Sequence, residues 1–320
     1  MAYPIDKKMV IAVASTALFD LEESDKVFRE QGLGAYRDYQ IAHEVDILAP
    51  GVAFPFVRRL LRLNEGFEEA QAPVEVVLLS RNDANTGLRV FNSIEAHKLG
   101  ISRAAFVKGD NPFRYMAAFN ASLFISADAD GVQQAIAQGL PAGLVFPTSF
   151  ADKSDDAELR IAFDFDGVLA DDSAEKVYRK QGAKTYHQAE VEHAMEPLGK
   201  GPLSRFFEEV AHLQRLERAR HAECPSYTPR VRTSIVTARS APAHLRLVYT
   251  LRQWGIEVDE VFFLGGIEKS RVLKELQPHI FFDDQAQHIA GVAGVTPCVH
   301  VPFGVANTTL PRHPATLDDV

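Results

Sequence analysis

The sequence predicts an α/β protein made of two tandem, related units, each with a parallel sheet, the second carrying a small helical cap. Three observations predict it. A chain of 320 residues suggests about two domains. Short apolar runs alternate with amphipathic, helix-length segments along its whole length, the pattern of a doubly wound parallel sheet. The second half also repeats the first: Lys26–Gly32 (KVFREQG) returns as Lys176–Gly182 (KVYRKQG), 150 residues further on.

The repeat is collinear over most of each half. At the same offset of 150 it pairs Tyr36 with Tyr186, His43 with His193, Gly51 with Gly201 and Phe56 with Phe206. At a slightly larger offset, Val77–Ser80 parallels Ser234–Thr237, and Gly100-Ile101 parallels Gly255-Ile256. A polar stretch, Asp152–Glu158, marks the boundary, so the units are expected at 1–152 and 153–320, with the cap at about 173–230.

In the first unit Val10–Ala14 reads as a buried strand. Lys7-Lys8 ahead of Met9–Phe19 imitates a signal peptide, but the repeat assigns that stretch to a core strand. Asp20–Gln31, Ala53–Leu63, Thr86–Leu99 and Val132–Ala137 read as helices. Val74–Leu79, Ala104–Val107, Leu123–Ile125 and Leu144–Phe146 read as strands. The polar loops Ser80–Gly87 and Lys108–Pro112 follow strands, where such folds bind ligands. Asn82 and Asp83 are therefore either ordinary turn residues or contacts for a substrate or effector.

In the second unit the strand 161–165 runs into Asp164-Phe165-Asp166-Gly167. Two carboxylates one residue apart at a strand's carboxyl edge can supply a nucleophile and a proton carrier. The first unit has Ala14 and Thr16 at the corresponding positions, so only the second can perform this chemistry. Ala174–Gln181 reads as a helix, and the segment from Tyr186 to Pro229, broken at Pro197, Gly201 and Pro225, as the rest of the cap. Strand Thr233–Val236 leads into Thr237-Ala238-Arg239, where a hydroxyl and backbone N–H groups either hold phosphate oxygens or cap a helix. Arg239 contacts phosphate or forms a salt bridge. Strand Val261–Leu264 precedes Lys269 and a helix, Ser270–Leu276, so Lys269 either reaches a phosphate or is solvated. Strand His279–Phe282 ends in Asp283-Asp284, which suit a hard, oxygen-liganded cation or cap a helix. Trp254, before Gly255 at a helix end, reads as core, and His43 and His193 as structural, with His193 also kept as a substrate or effector contact.

Composition is ordinary for a globular chain, with 46% hydrophobic and 24% charged residues. A net charge of -9 argues against a nucleic-acid surface. Two distant cysteines, Cys224 and Cys298, fit a reducing cytoplasm rather than a disulfide framework, and no apolar run is long enough for a membrane span. The tail Thr308–Val320 is expected to be flexible.

The order strand-DxDG, strand-T, loop-K-helix, strand-DD resembles the haloacid dehalogenase superfamily of phosphohydrolases, whose units are Rossmann-like. From near residue 9 to near 307 the chain is similar to the cytosolic 5′-nucleotidases of type I. The similarity is carried by Ala12–Phe19, Pro50–Phe56, Val236–Ser240, Pro278–Gln285 and His300–Ala306. Phe165 and Gly167 depart from that family's animal members, which tend to have Gly and Ala there, and this bears on nucleotide preference rather than on phosphatase chemistry. The resemblance implies that Asp164 is the nucleophile toward a nucleoside 5′-monophosphate and Asp166 the acid and base. It implies Mg²⁺ on Asp164, the Asp166 carbonyl and Asp284, with Asp283 orienting metal-bound water, and phosphate contacts from Thr237, Ala238, Arg239 and Lys269. It also implies an ADP-like nucleotide effector and leaves room for a homo-oligomer.

Overall fold

The computed structural model describes residues 3–146, 152 and 156–307. The tail expected to be flexible and part of the Asp152–Glu158 boundary lie outside them. The described residues fall into two compact units, one on either side of that boundary.

Unit 1 contains β1 (Met9–Val13), a short helix α1 (Ser15–Leu18), α2 (Glu22–Ala42), α3 (Phe54–Arg62), β2 (Val74–Ser80), α4 (Ala84–Ala96), β3 (Arg103–Phe106), β4 (Leu123–Ser126), α5 (Ala129–Ala137) and β5 (Ala142–Val145). Its strands lie in the order β3-β2-β1-β4-β5, all paired parallel. Unit 2 contains β6 (Leu159–Phe163), α6 (Ser173–Glu192), α7 (Ser204–Glu223), β7 (Val231–Thr237), α8 (His244–Trp254), β8 (Glu260–Phe263), α9 (Lys269–Leu276), β9 (Ile280–Asp283), α10 (Ala286–Val292) and β10 (Cys298–His300). Its order, β8-β7-β6-β9-β10, is that of unit 1 counted from its own first strand, and it too is parallel throughout. Each strand read from the sequence forms. The three-residue β10 was missed because Cys298–His300 is too short, between Pro297 and Pro302, to show a period.

Central strands are buried on both faces, as crossover helices require: every residue of β1, β2, β4 and β9 is inaccessible. The core of unit 2 is aromatic. Phe163 lies 5.3 Å from Phe282, nearly parallel to it, and both meet Phe206. Phe206 and Phe207 belong to α7, which therefore packs on the sheet and not, as the sequence suggested, with the cap. Trp254 is half-buried, with its ring 6.3 Å from Phe165.

The two units share contacts as well as strand order. The α2 and α6 helices kink at Gly32 and Gly182, both at φ +81°. Leu48 N–H donates to Ser93 Oγ in one unit and Leu198 N–H to Thr250 Oγ1 in the other. Arg89 reaches Gln40, and Arg246 reaches Glu190. At the end of the first strand the register slips by one. Ala14 N–H and Asp164 N–H make the same strand contact, to Ile125 and Phe282 carbonyls. The next turn, however, closes on Ala14 O from Leu18 in unit 1 and on Phe165 O from Leu169 in unit 2. Unit 2 thus has one extra residue where its carboxylates stand.

Gly51 and Gly201 sit where two loops touch. A Cβ on Gly201 would lie 2.4 Å from the Ala170 carbonyl oxygen and 2.6 Å from that of Val168, both backbone atoms. Gly201→Ala is expected to destabilise unit 2 by about 1–3 kcal/mol through overpacking. Gly34→Ala, in helix α2 with open space around it, should be neutral or stabilising by up to about 1 kcal/mol. Urea midpoints measure both, and equal midpoints for the two variants would refute the close-approach account.

Candidate active site

The strand ends of unit 2 bring four sequence segments to one sheet edge. Asp164 follows β6 directly, its backbone fixed by the Phe282 carbonyl at 2.7 Å. Lys269 opens α9 and is almost wholly buried. Its ammonium lies 2.7 Å from Asp164 Oδ2 and 2.6 Å from Asp283 Oδ2, so it bridges two carboxylates. Asp283, the last residue of β9, also accepts from Gln285 N–H at 2.8 Å, and both its oxygens lie 3.2 Å from His288 Nδ1. Lys269 is thus an internal counter-ion, and the solvated alternative falls away.

Asp284 has no such support. It is fully buried, yet neither carboxylate oxygen has a hydrogen-bond partner. It lies against the turn after Asp166, since a Cβ on Gly167 would come 2.4 Å from Asp284 Oδ2. Burial, then the charges of Asp164 and Asp283, push its carboxyl up to about 10. Burial likewise raises Asp164 to about 6, against the opposing pull of Lys269. Burial also works against ionised Asp283, but Lys269 and His288 outweigh it and hold this carboxyl below the usual range.

A buried carboxylate without a donor is costly unless a cation meets it. The donor set at this edge is carboxylate oxygen, which suits a hard divalent ion, and the orphaned oxygens of Asp284 fit one. Ligand atoms of Asp164, Asp283 and His288 also lie within 4.8 Å of one another. In that trio, however, both carboxylates already hold the Lys269 ammonium, whereas neither oxygen of Asp284 has a hydrogen-bond partner, so Asp284 has the stronger claim.

Thr237 ends β7, buried, and its Oγ1 accepts from Arg239 N–H at 3.2 Å, while Ala238 is exposed at the lip. Arg239 forms a salt bridge with Asp166 and also lines the cavity. Its Nε and Nη2 donate to the two oxygens of Asp166, each at 2.7 Å, and its Nη1 donates to Glu190 and to the Ala243 carbonyl. Arg246 holds the other oxygen of Glu190 at 2.9 Å. This chain fixes the orientation of Asp166 from behind.

Asp164, Asp166, Thr237, Ala238, Arg239 and His288 line a cavity of about 490 Å³. Helix α6 closes its side with Tyr178, Tyr186 and His187. Tyr186 is half-buried, and burial raises its phenol well above the ordinary value. The sequence reading missed Tyr186, Glu190 and His288. Glu190 could have been found, because its counterpart at offset 150 is Gln40, another polar residue on the inner face of a helix.

Three of the expected substrate or effector contacts, His193, Asn82 and Asp83, are not in the lining of this cavity. His193, at the end of α6, is exposed, with Nδ1 2.9 Å from Glu196, and does not line the cavity. Asn82 and Asp83 belong to unit 1. Asp83 is the N-cap of α4, in a reciprocal capping box with Thr86, and pairs with Arg37 at 2.7 Å.

The weight borne by Arg239 is measurable. Arg239→Met removes the partner of Asp166 and one partner of buried Glu190 and should cost about 3–5 kcal/mol, read from a denaturant midpoint. Arg246→Met, at a more exposed site, should cost clearly less. A loss under about 1 kcal/mol for Arg239→Met would rule out the structural network.

Residues 1–308 match the family model described as 5′-nucleotidase. Human cytosolic 5′-nucleotidase 1B is 37% identical over 290 residues, which are 88% of this chain and 47% of that protein. The chain therefore spans about half the length of that relative. A solved haloacid dehalogenase-like hydrolase from Burkholderia xenovorans LB400 aligns with 50% of this chain and 90% of its own at 13% identity, with a TM-score of 0.26, too low to bear on the fold. With nearly all of its length inside the family's span, the chain belongs to the 5′-nucleotidase family.

Proposed function

We propose that unit 2 hydrolyses nucleoside 5′-monophosphates, AMP- or IMP-like, to nucleoside and phosphate through an aspartyl-phosphate. The observation that carries this reading is the buried Asp164, held by Lys269 at the end of β6 and facing a cavity that also contains Asp166 and Thr237. We read the two units as tandem Rossmann-like units of haloacid dehalogenase type, one of which lacks the carboxylates.

In the first step an Asp164 carboxylate oxygen bonds to phosphorus as the bond to the 5′-oxygen breaks, and Asp166 gives that oxygen its proton. In the second, Asp166 takes a proton from water as the water oxygen bonds to phosphorus and the bond to Asp164 breaks. Dividing one displacement into two, with proton transfer at each, is covalent catalysis with general acid–base help. Arg239 aims Asp166 for both steps. The Lys269 ammonium and the Thr237 hydroxyl stabilise charge gathering on the phosphoryl oxygens. A Mg²⁺ ion held by Asp164, Asp284 and the Asp166 carbonyl would supply further charge stabilisation, and Asp283 serves by keeping Lys269 in place.

Phosphate release from AMP and IMP in Mg²⁺ tests the assignment. Asp164→Asn should lower kcat/KM by at least 10³-fold; a loss within tenfold, under about 1.4 kcal/mol of barrier, would remove Asp164 from the nucleophile's role. Lys269→Met should cost about 10²–10³-fold, the scale of losing one transition-state donor.

Asp284→Asn should make turnover insensitive to Mg²⁺ across the range that saturates the unaltered protein, and EDTA should abolish turnover in the latter. Activity that survives EDTA rejects the metal. A panel of CMP, deoxynucleotides and sugar phosphates, assayed beside AMP, tests the nucleoside preference.

A further inference from the structure

Unit 1 has a cavity of its own, about 110 Å³, lined by Phe28, Leu33, Tyr36, Arg37, Arg81, Asn82, Asp83, Thr86, Lys108 and Gly109. All but Thr86 are the counterparts of residues lining the unit 2 cavity. At offset 150, Phe28, Leu33, Tyr36 and Arg37 correspond to Tyr178, Ala183, Tyr186 and His187. At the offset of 157 set by the equal strands β2 and β7, Arg81, Asn82 and Asp83 correspond to Ala238, Arg239 and Ser240, and Lys108 and Gly109 to Gly265 and Gly266. The same fold makes the same hollow twice.

The charge in it is reversed. Where Asp164, Asp283 and Asp284 stand in unit 2, unit 1 has Ala14, Ser126 and Ala127 at the ends of the matching strands. Where unit 2 has Ala238, Gly265 and His187, unit 1 has Arg81, Lys108 and Arg37. Three cations thus face the hollow with one lining carboxylate, Asp83, which Arg37 pairs at 2.7 Å. Asp128 lies behind Arg81 at 3.5 Å, and Arg81 also donates to Asn111. The side-chain nitrogen of Asn82 is buried without an acceptor, although its oxygen accepts from Tyr36 O–H. The rim is tied together, since Lys108 N–H and Gly109 N–H donate to the Asn82 and Arg81 carbonyls.

We propose that this hollow is a second phosphate site, one that holds a phosphoryl group and does not hydrolyse it. Its volume is that of three or four water molecules at roughly 30 Å³ each, enough for one phosphoryl group. Arg81, Lys108 and the Asn82 amide supply charged and neutral donors of the kind phosphate oxygens take. No carboxylate stands at the place of the nucleophile, so a phosphate bound there has nothing to attack it. The site is independent of catalysis in unit 2.

Isothermal titration of the whole chain in EDTA and low salt, with inorganic phosphate, AMP and adenosine as separate probes, tests this. Without metal, the acidic edge of unit 2 repels anions, so one phosphate per chain is expected, bound in unit 1. Lys108→Ala should weaken it at least fivefold, and Arg81→Gln should weaken it more. Lys98→Ala should leave it unchanged, Lys98 being another exposed lysine of positive φ but outside the hollow. AMP binding tenfold tighter than phosphate identifies a nucleotide as the ligand, equal binding identifies free phosphate, and adenosine should not bind. Lys108→Ala should retain AMP turnover in Mg²⁺, which separates this site from the catalytic one. The proposal is overturned if no phosphate binds in EDTA, if Lys108→Ala binds it as well as the unaltered chain does, or if Asp164→Asn rather than Lys108→Ala abolishes binding.

Discussion

Everything at the acidic edge of unit 2 depends on Lys269, a buried ammonium between two buried carboxylates. Three acids, Asp164, Asp283 and Asp284, stand buried at the ends of two adjacent parallel strands. Each would carry a large desolvation penalty alone. Lys269 pairs with two of them, at 2.7 and 2.6 Å; burial works against its ammonium, but the two carboxylates outweigh it and hold it charged well above the ordinary value. One ammonium does not balance three acids, and Asp284 has no partner for either oxygen. That surplus suits the edge to a cation, because a site with every charge matched has no call on one.

A second chain of charge stands behind the first. Asp166 is gripped at both oxygens by Arg239, which also leans on Glu190, which leans on Arg246. Bidentate pairing fixes direction as well as distance. Helix α6, which carries Glu190, also lends Tyr178, Tyr186 and His187 to the cavity wall. The wall and the orientation of Asp166 therefore depend on one helix, and a change that tilts α6 disturbs both.

Much of this was legible in the sequence because the relevant signals are local. Apolar runs that end in Asp, Thr or Asp-Asp announce buried strands with polar ends, and strands of a parallel sheet end on one side. The repeat gave the two units for the same reason, since collinear motifs survive where turns and packing demand particular residues: Gly201 has backbone 2.4 Å from where a Cβ would stand. What was hidden depends on distance in sequence. Arg239 could be a phosphate ligand or a salt bridge until the structure placed it against Asp166, 73 residues away. Asp83 read as either a turn residue or a ligand because both favour the same position, the end of a strand and the start of a helix; it is the N-cap of α4 and also lines the unit 1 hollow. The α7 helix was assigned to the cap because a helix's polar-to-apolar pattern tells that it packs, and not on what.

The two units separate what the fold requires from what the chemistry requires. The contacts that recur, Leu48 to Ser93 and Leu198 to Thr250, or the kinks at Gly32 and Gly182, lie in helices and turns away from the strand ends. They hold α4 and α8 in equivalent places and are indifferent to charge. The residues that differ cluster at the strand ends, where the backbone reaches the surface and a side chain can change without disturbing the core. Unit 2 has its acids there, with one extra residue in the turn to present them, and needs Lys269 at the start of α9 to keep them buried. Unit 1 has Ala14 and Ala127 at the strands and Pro112 where the lysine would be. With the acids gone, a lysine in that buried position would have no partner, so the loss of Lys and the loss of Asp are one change rather than two. The cations of unit 1 surround its own hollow instead, on Arg37 and Arg81, both half-buried, and on exposed Lys108.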